Sequence, residues 1–133
     1  MFPGSVPWFS MRTTLFLTMF ALSLPAADLR ISLAETPKEQ RMTARFECDA
    51  NSVKTGLPPK PFSVEYINAG ENHLAILPIA GQSRIFVSIS SGSGARYASG
   101  DLIWWEAAGR SITLTSDSLS GKTESSCHPV KGK

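Results

Sequence analysis

The chain is poor in the groups that most enzymes and nucleic-acid binders depend on. Its 133 residues hold two histidines and two cysteines, and its formal net charge is +2. So small a charge provides no strong field for nucleic acid or a membrane surface. The basic residues are also scattered, and Lys131 and Lys133 read as a solvated tail. No C-x-x-C or H-x-x-x-H spacing joins Cys48, Cys127, His73 and His128, which argues against a zinc site. Neither histidine has an acid placed nearby in sequence to orient it as a base. Ser93 lacks the flanking pattern of a G-x-S-x-G elbow, because Ser91 and Ala95 occupy the two glycine positions. Gly92 and Gly94 are followed by Tyr97 and not by a third glycine and a helix, so no dinucleotide fingerprint is present. Asp101 and Glu106 lie beside turns, where a solvated role is expected. No cofactor is implied, and the residues point to a binding protein and not to an enzyme.

Long apolar runs are scarce too. The exception is Thr13–Leu24, preceded by Met11-Arg12 and followed by Pro25-Ala26-Ala27. A basic start, a short apolar stretch and small residues behind it read as a signal peptide over residues 1–27, with Met11 an alternative start. The run is too short to span a bilayer as a helix. No cysteine precedes Cys48, so a lipidated N-terminal cysteine is not available and no stable membrane anchor is expected. Removing the segment takes away only Arg12 among the charged residues. Cys48 and Cys127 stand near the two ends of what remains. They read as a disulfide staple, which in the chain-entropy model stabilises a loop of that length by about 4.5 kcal/mol.

Residues 28–41 carry Pro37 and charges without apolar periodicity and read as a linker. Beyond it, residues 42–130 form one domain of alternating patterns. Met42, Ala44, Phe46 and Cys48 share a face, as Phe62, Val64 and Tyr66 do. Asp49–Lys60 reads as a loop. His73–Leu77 is the next strand, and Pro78 marks an edge, an end or a bulge, since proline cannot donate to a ladder. Ile85, Val87 and Ile89 alternate. Leu102 and Trp104 share one face, Ile103 and Trp105 the other, and Ile112 and Leu114 point inward. Lys122–Cys127 is a polar last strand. Roughly seven or eight short strands, with turns about every ten residues, mark an all-β sandwich or small antiparallel barrel. A small barrel fills its interior with side chains.

The functional signal is concentrated in residues 85–109. Between two strand-like runs lies a loop of small residues, Ser90 to Ala95, in which Gly92 and Gly94 bracket Ser93. Such a hairpin tip is slim enough to enter a cleft, and it offers hydroxyls and amides.

Ser93-Gly94-Ala95-Arg96-Tyr97, followed by Gly100, Leu102 and Trp104-Trp105, resembles the Ser-Gly-x-x-Tyr signature of the bacterial inhibitors of c-type lysozyme, the MliC/PliC family. Leu77-Pro78 and the two cysteines fit as well, and the resemblance covers about residues 42–128. It implies an eight-stranded antiparallel barrel, exported to the periplasm, that inserts this loop into the lysozyme cleft. The missing anchor cysteine would place the chain among the soluble members. Ser93, Gly94, Arg96 and Tyr97 are then the expected contacts, with Arg96 and Tyr97 stiffening the loop base or touching the cleft wall. Tyr97 as core packing is an equal alternative. Members often carry a lysine fourteen positions after the serine, where the resemblance implies pairing with a lysozyme carboxylate. Here that position is Ala107, or Ala108 with one extra turn residue, and the nearest basic candidate is Arg110. Two other classes remain: an exported barrel holding a small apolar ligand, and a structural envelope protein.

Overall fold

The computed structural model describes residues 3–5, 27–108, 111–116 and 124–131. The chain divides into two compact units, Met1–Ser32 and Leu33–Lys133. Most of the expected signal segment lies outside the described residues. Those described in the first unit form no helix or strand. Among the described residues, no helix is long and apolar enough to cross a membrane.

The second unit is all-antiparallel. Its eight strands are β1 (Gln40–Cys48), β2 (Phe62–Ala69), β3 (Asn72–Ile79), β4 (Gln82–Ile89), β5 (Ala95–Ser99), β6 (Leu102–Glu106), β7 (Ile112–Ser116) and β8 (Glu124–Pro129). Each pairs with the next, and β8 returns to β1, which closes a barrel. Of the two all-β architectures the pattern allows, the barrel is the one formed. The stagger between β2 and β3 explains how Pro78 is tolerated. The β2–β3 ladder ends at Glu65 and Ile76, so β3 beyond Ile76 pairs only with β4, and Pro78 sits opposite Ser83 in that one-sided stretch.

The inner faces interdigitate into one core. Val64, Ala75, Leu77, Phe86, Trp104 and Leu114 are wholly buried. Phe46 meets Trp104 edge-on, with ring centroids 5.3 Å apart. Among the described residues, buried side chains from every strand from β1 to β8 fill the interior. Two alternating runs show which residues the barrel takes inside. On β4 the inward residue is Phe86, and Ile85, Val87 and Ile89 lie on the outer face, with Val87 and Ile89 exposed. On β1, Phe46 is buried but Met42 is exposed, because the strand runs out past the barrel rim.

The seam between β1 and β8 has only three paired positions, Phe46–Pro129, Glu47–His128 and Cys48–Cys127. The Cys48–Cys127 disulfide lies directly across it, with the Cα atoms 4.0 Å apart. Asp49 extends the seam: its N–H donates to the Ser126 carbonyl at 2.9 Å and its Oδ2 accepts from the Ser126 N–H at 3.1 Å.

Asp49 also starts an element that the alternation does not reveal. Its Oδ1 accepts from the Asn51 N–H at 3.1 Å and caps a 3-10 helix over Ala50–Thr55. The helix ends at Gly56, whose φ of 91° is a left-handed conformation that glycine adopts without strain. Thr55 Oγ1 lies 3.0 Å from Ser125 Oγ, and Leu57 joins the core. The Ala80 N–H donates to the Gly56 carbonyl at 2.7 Å. This segment therefore covers the barrel end that carries the β3–β4 turn. By strand direction, the β4–β5 loop lies at the other end.

Candidate functional site

At that other end the barrel is closed by a polar cluster. Tyr66 donates its hydroxyl hydrogen to Glu106 Oε1. The Trp104 indole N–H lies 3.1 Å from the Tyr66 oxygen and 3.3 Å from Glu106 Oε1. The rings of Tyr66 and Tyr97 stand 5.9 Å apart. Burial first, and then donation to the Glu106 carboxylate, push the Tyr66 hydroxyl pKa well above its ordinary value. Burial and the Glu106 charge raise Tyr97 as well. Such a cluster is costly unless its members satisfy one another, and once satisfied it rigidifies its surroundings. Glu106 is thus a structural acceptor and not the solvated turn residue that its place in the sequence suggests.

Ser90–Gly94 connects β4 to β5 beside this cluster, and three contacts hold it. The Trp105 indole N–H donates to the Ser93 carbonyl at 2.9 Å. The Ser91 hydroxyl donates to the same carbonyl at 2.6 Å. Gly94 has φ 66°, and a Cβ there would collide with the Glu106 carbonyl oxygen and stand 2.8 Å from the Ala108 nitrogen and 2.9 Å from the Ala107 Cα. The loop backbone therefore lies directly on the strand-end backbone of Glu106–Ala108, an approach that only glycine permits. Ser93 remains exposed, and its hydroxyl has no hydrogen-bond partner among the described residues. The result is a narrow tip with a fixed base and a serine hydroxyl presented outward.

The other expected contacts fall in different places. Arg96 is half-buried on the outer face of β5, with its Cζ 5.8 Å from the centre of the Trp105 ring. Tyr97 points into the barrel, only 8% exposed, so it supports the loop from within and does not present its ring to a cleft wall. Ala107 is buried beneath Gly94, and Ala108 is exposed. Arg110 lies outside the described residues. His73 Nδ1 lies 2.7 Å from Asn68 Oδ1, and His128 Nε2 lies 3.8 Å from Glu47 on the β1–β8 seam; neither is part of the loop cluster.

Residues that pattern reading leaves without a role carry much of this site. Trp105 looks like one of a strand's outer apolar residues, yet it pins the loop. Ser91 lies outside the signature register, yet it holds the Ser93 carbonyl. The usable signal for Trp105 is its place on the outer face, where an indole covers exposed backbone.

Residues 46–121, more than half of the chain, match the family model described as membrane-bound lysozyme-inhibitor of c-type lysozyme. The chain is 41% identical over 64 residues to a Pseudomonas aeruginosa protein named membrane-bound lysozyme inhibitor of C-type lysozyme, a match covering 47% of this chain and 50% of that one. A Cupriavidus necator protein of the same name is 39% identical over 61 residues, or 46% of this chain and 42% of that one. The matches thus span about half, or less, of the length of these curated relatives. Among solved structures, Pseudomonas aeruginosa MliC in complex with hen egg white lysozyme is similar with a TM-score of 0.61 and 27% identity, over 80% of this chain and 100% of that one.

Proposed function

The chain belongs to the family of membrane-bound lysozyme-inhibitors of c-type lysozyme, and from that premise we propose that it inhibits c-type lysozyme by inserting its β4–β5 loop into the enzyme's active-site cleft. The observation that carries this reading is the loop's construction. Its backbone is tied down at Ser93 and Gly94, while the Ser93 hydroxyl is exposed and unengaged by the barrel.

The chemistry of the target supports it. Lysozyme works with two carboxyl groups, one kept protonated by an apolar pocket and one ionised. A serine hydroxyl donates to the ionised oxygen and accepts from the protonated group. Ser93 can engage both at once while the slim tip occupies the space that substrate needs. A pre-fixed loop loses little conformational freedom on binding, so more of each contact appears as affinity. Inhibition by this route is occlusion, with no covalent step.

The test is the rate at which c-type lysozyme lyses cell walls in the presence of the purified domain. Wild type should slow lysis. Ser93→Ala should keep its fold and weaken inhibition roughly ten- to hundredfold, since hydrogen bonds to an ionised group are worth about 1.5–3 kcal/mol each. Ser91→Ala should lose no more than a fewfold, because its hydroxyl supports the loop without facing the target. Equal inhibition by wild type and Ser93→Ala would remove the loop from the mechanism.

The same reading assigns the protein to the periplasm, since Thr13–Leu24 has the makings of an export signal. Fractionation with N-terminal sequencing should find a soluble periplasmic chain that starts close to Asp28. An intact protein held in the membrane, beginning before Thr13, would overturn the placement.

A further inference from the structure

Behind the β4–β5 loop lies a cleft of about 460 Å³, lined by Ser91, Gly92, Ser93, Arg96 and Trp105. Building on the reading of this chain as a lysozyme inhibitor, we propose that the cleft receives a carboxylate side chain of the lysozyme on Arg96. Arg96 then supplies the cationic contact that Ala107 cannot.

The argument starts from the register. Arg96 lies opposite Ile89 on β4 and opposite Trp105 on β6, so the guanidinium stem runs between two apolar side chains on the outer face. The Trp105 ring, 5.8 Å from Cζ, holds the cation against the wall. The same indole donates to the Ser93 carbonyl, so cation, ring and loop form one connected unit.

Among the described residues Arg96 forms no ion pair. None of its side-chain donors meets an acceptor among the described residues, and Nε is buried without a partner. The nearest acid along β6, Glu106, is engaged by Tyr66 and Trp104 on the inner side of the barrel. A guanidinium presents a planar fork of donors that fits a carboxylate, and low-dielectric walls strengthen the pairing. The cleft opens beside Ser93, so one docking movement brings the serine to the catalytic groups and Arg96 to an acidic side chain at the rim.

Ala107 carries no charge and is buried, with its Cα close under Gly94, whereas Arg96 stands on the outer wall beside the loop.

Titration calorimetry against hen egg white lysozyme tests the assignment across a range of salt concentrations, with melting curves to establish folding. The proteins compared are wild type, Arg96→Gln, Arg96→Met, Arg96→Lys and Ser93→Ala. Arg96→Gln and Arg96→Met should each weaken binding about tenfold or more and flatten its salt dependence, as the loss of one partner from a desolvated charge pair does. Arg96→Lys should fall between them and wild type. If Arg96→Gln fails to fold, Arg96→Met, which keeps the aliphatic stem, is read in its place. A folded variant without the charge that binds within twofold of wild type, with the same salt slope, overturns the assignment while Ser93→Ala still reports on the loop. No binding by wild type overturns the inhibitor reading, and the Arg96 assignment with it.

Discussion

Trp105 donates its indole N–H to the carbonyl oxygen of Ser93 across 2.9 Å, joining the outer face of β6 to the tip of the β4–β5 loop. The residue that ties the loop down is therefore twelve positions beyond the serine that the loop presents. Mechanical support and chemical display are divided between two strands.

That division can be measured. Trp105→Phe keeps an aromatic face for Arg96 and removes the donor. One such hydrogen bond is worth about 1 kcal/mol net, so inhibition should weaken roughly fivefold. The melting temperature should change little, because Trp105 lies outside the core cluster. Calorimetry paired with thermal melts checks both halves. A large fall in melting temperature would show that Trp105 holds the barrel and not the loop.

The contact between Gly94 and Glu106–Ala108 gives a second prediction. Gly94→Ala introduces a Cβ at φ 66° that collides with the Glu106 carbonyl oxygen. The left-handed conformation alone costs about 1–2 kcal/mol for a residue with a Cβ. A drop of about 5 °C or more in melting temperature, with loss of inhibition, is expected. Ala107→Lys should behave in the same way, although the family pattern would suggest a gain. A stable Ala107→Lys variant with tighter lysozyme binding would contradict the packing described here.

Alkaline pH should weaken the fold through Tyr66. Its pKa is raised in the folded state, so the folded chain keeps this proton after an unfolded tyrosine, with a pKa of about 10, has lost it. The unfolded state then binds fewer protons, and stability falls as pH rises beyond about 10. Denaturant midpoints measured between pH 8 and 11 should decline in wild type above that point. The decline should be shallower in Tyr66→Phe, which starts less stable because Glu106 and Trp104 lose a partner. Parallel profiles for the two proteins would remove Tyr66 from the alkaline limb.

The sequence alone determines the repeated alternation that makes strands and the turn residues that separate them. It also carries the cysteines at both ends of the domain and the serine-glycine signature at a narrow tip. These are local properties, because pleat, turn chemistry and glycine's backbone freedom act within a few residues. The tertiary structure decides which face of an alternating run is buried. On β4 the Ile85, Val87 and Ile89 face is the more apolar one, yet barrel closure sends Phe86 inward, on the face it shares with Arg84 and Ser88, while Val87 and Ile89 stay outside. Closure likewise brings Tyr66 to Glu106, forty positions away in sequence, and turns a carboxylate beside a turn into a half-buried acceptor. It lays Gly94 on Ala107 and sets Arg96 on the outer wall against Trp105, beside the loop. A period of two states that side chains alternate. Which of them meet is set by the register and curvature of eight strands closed on themselves.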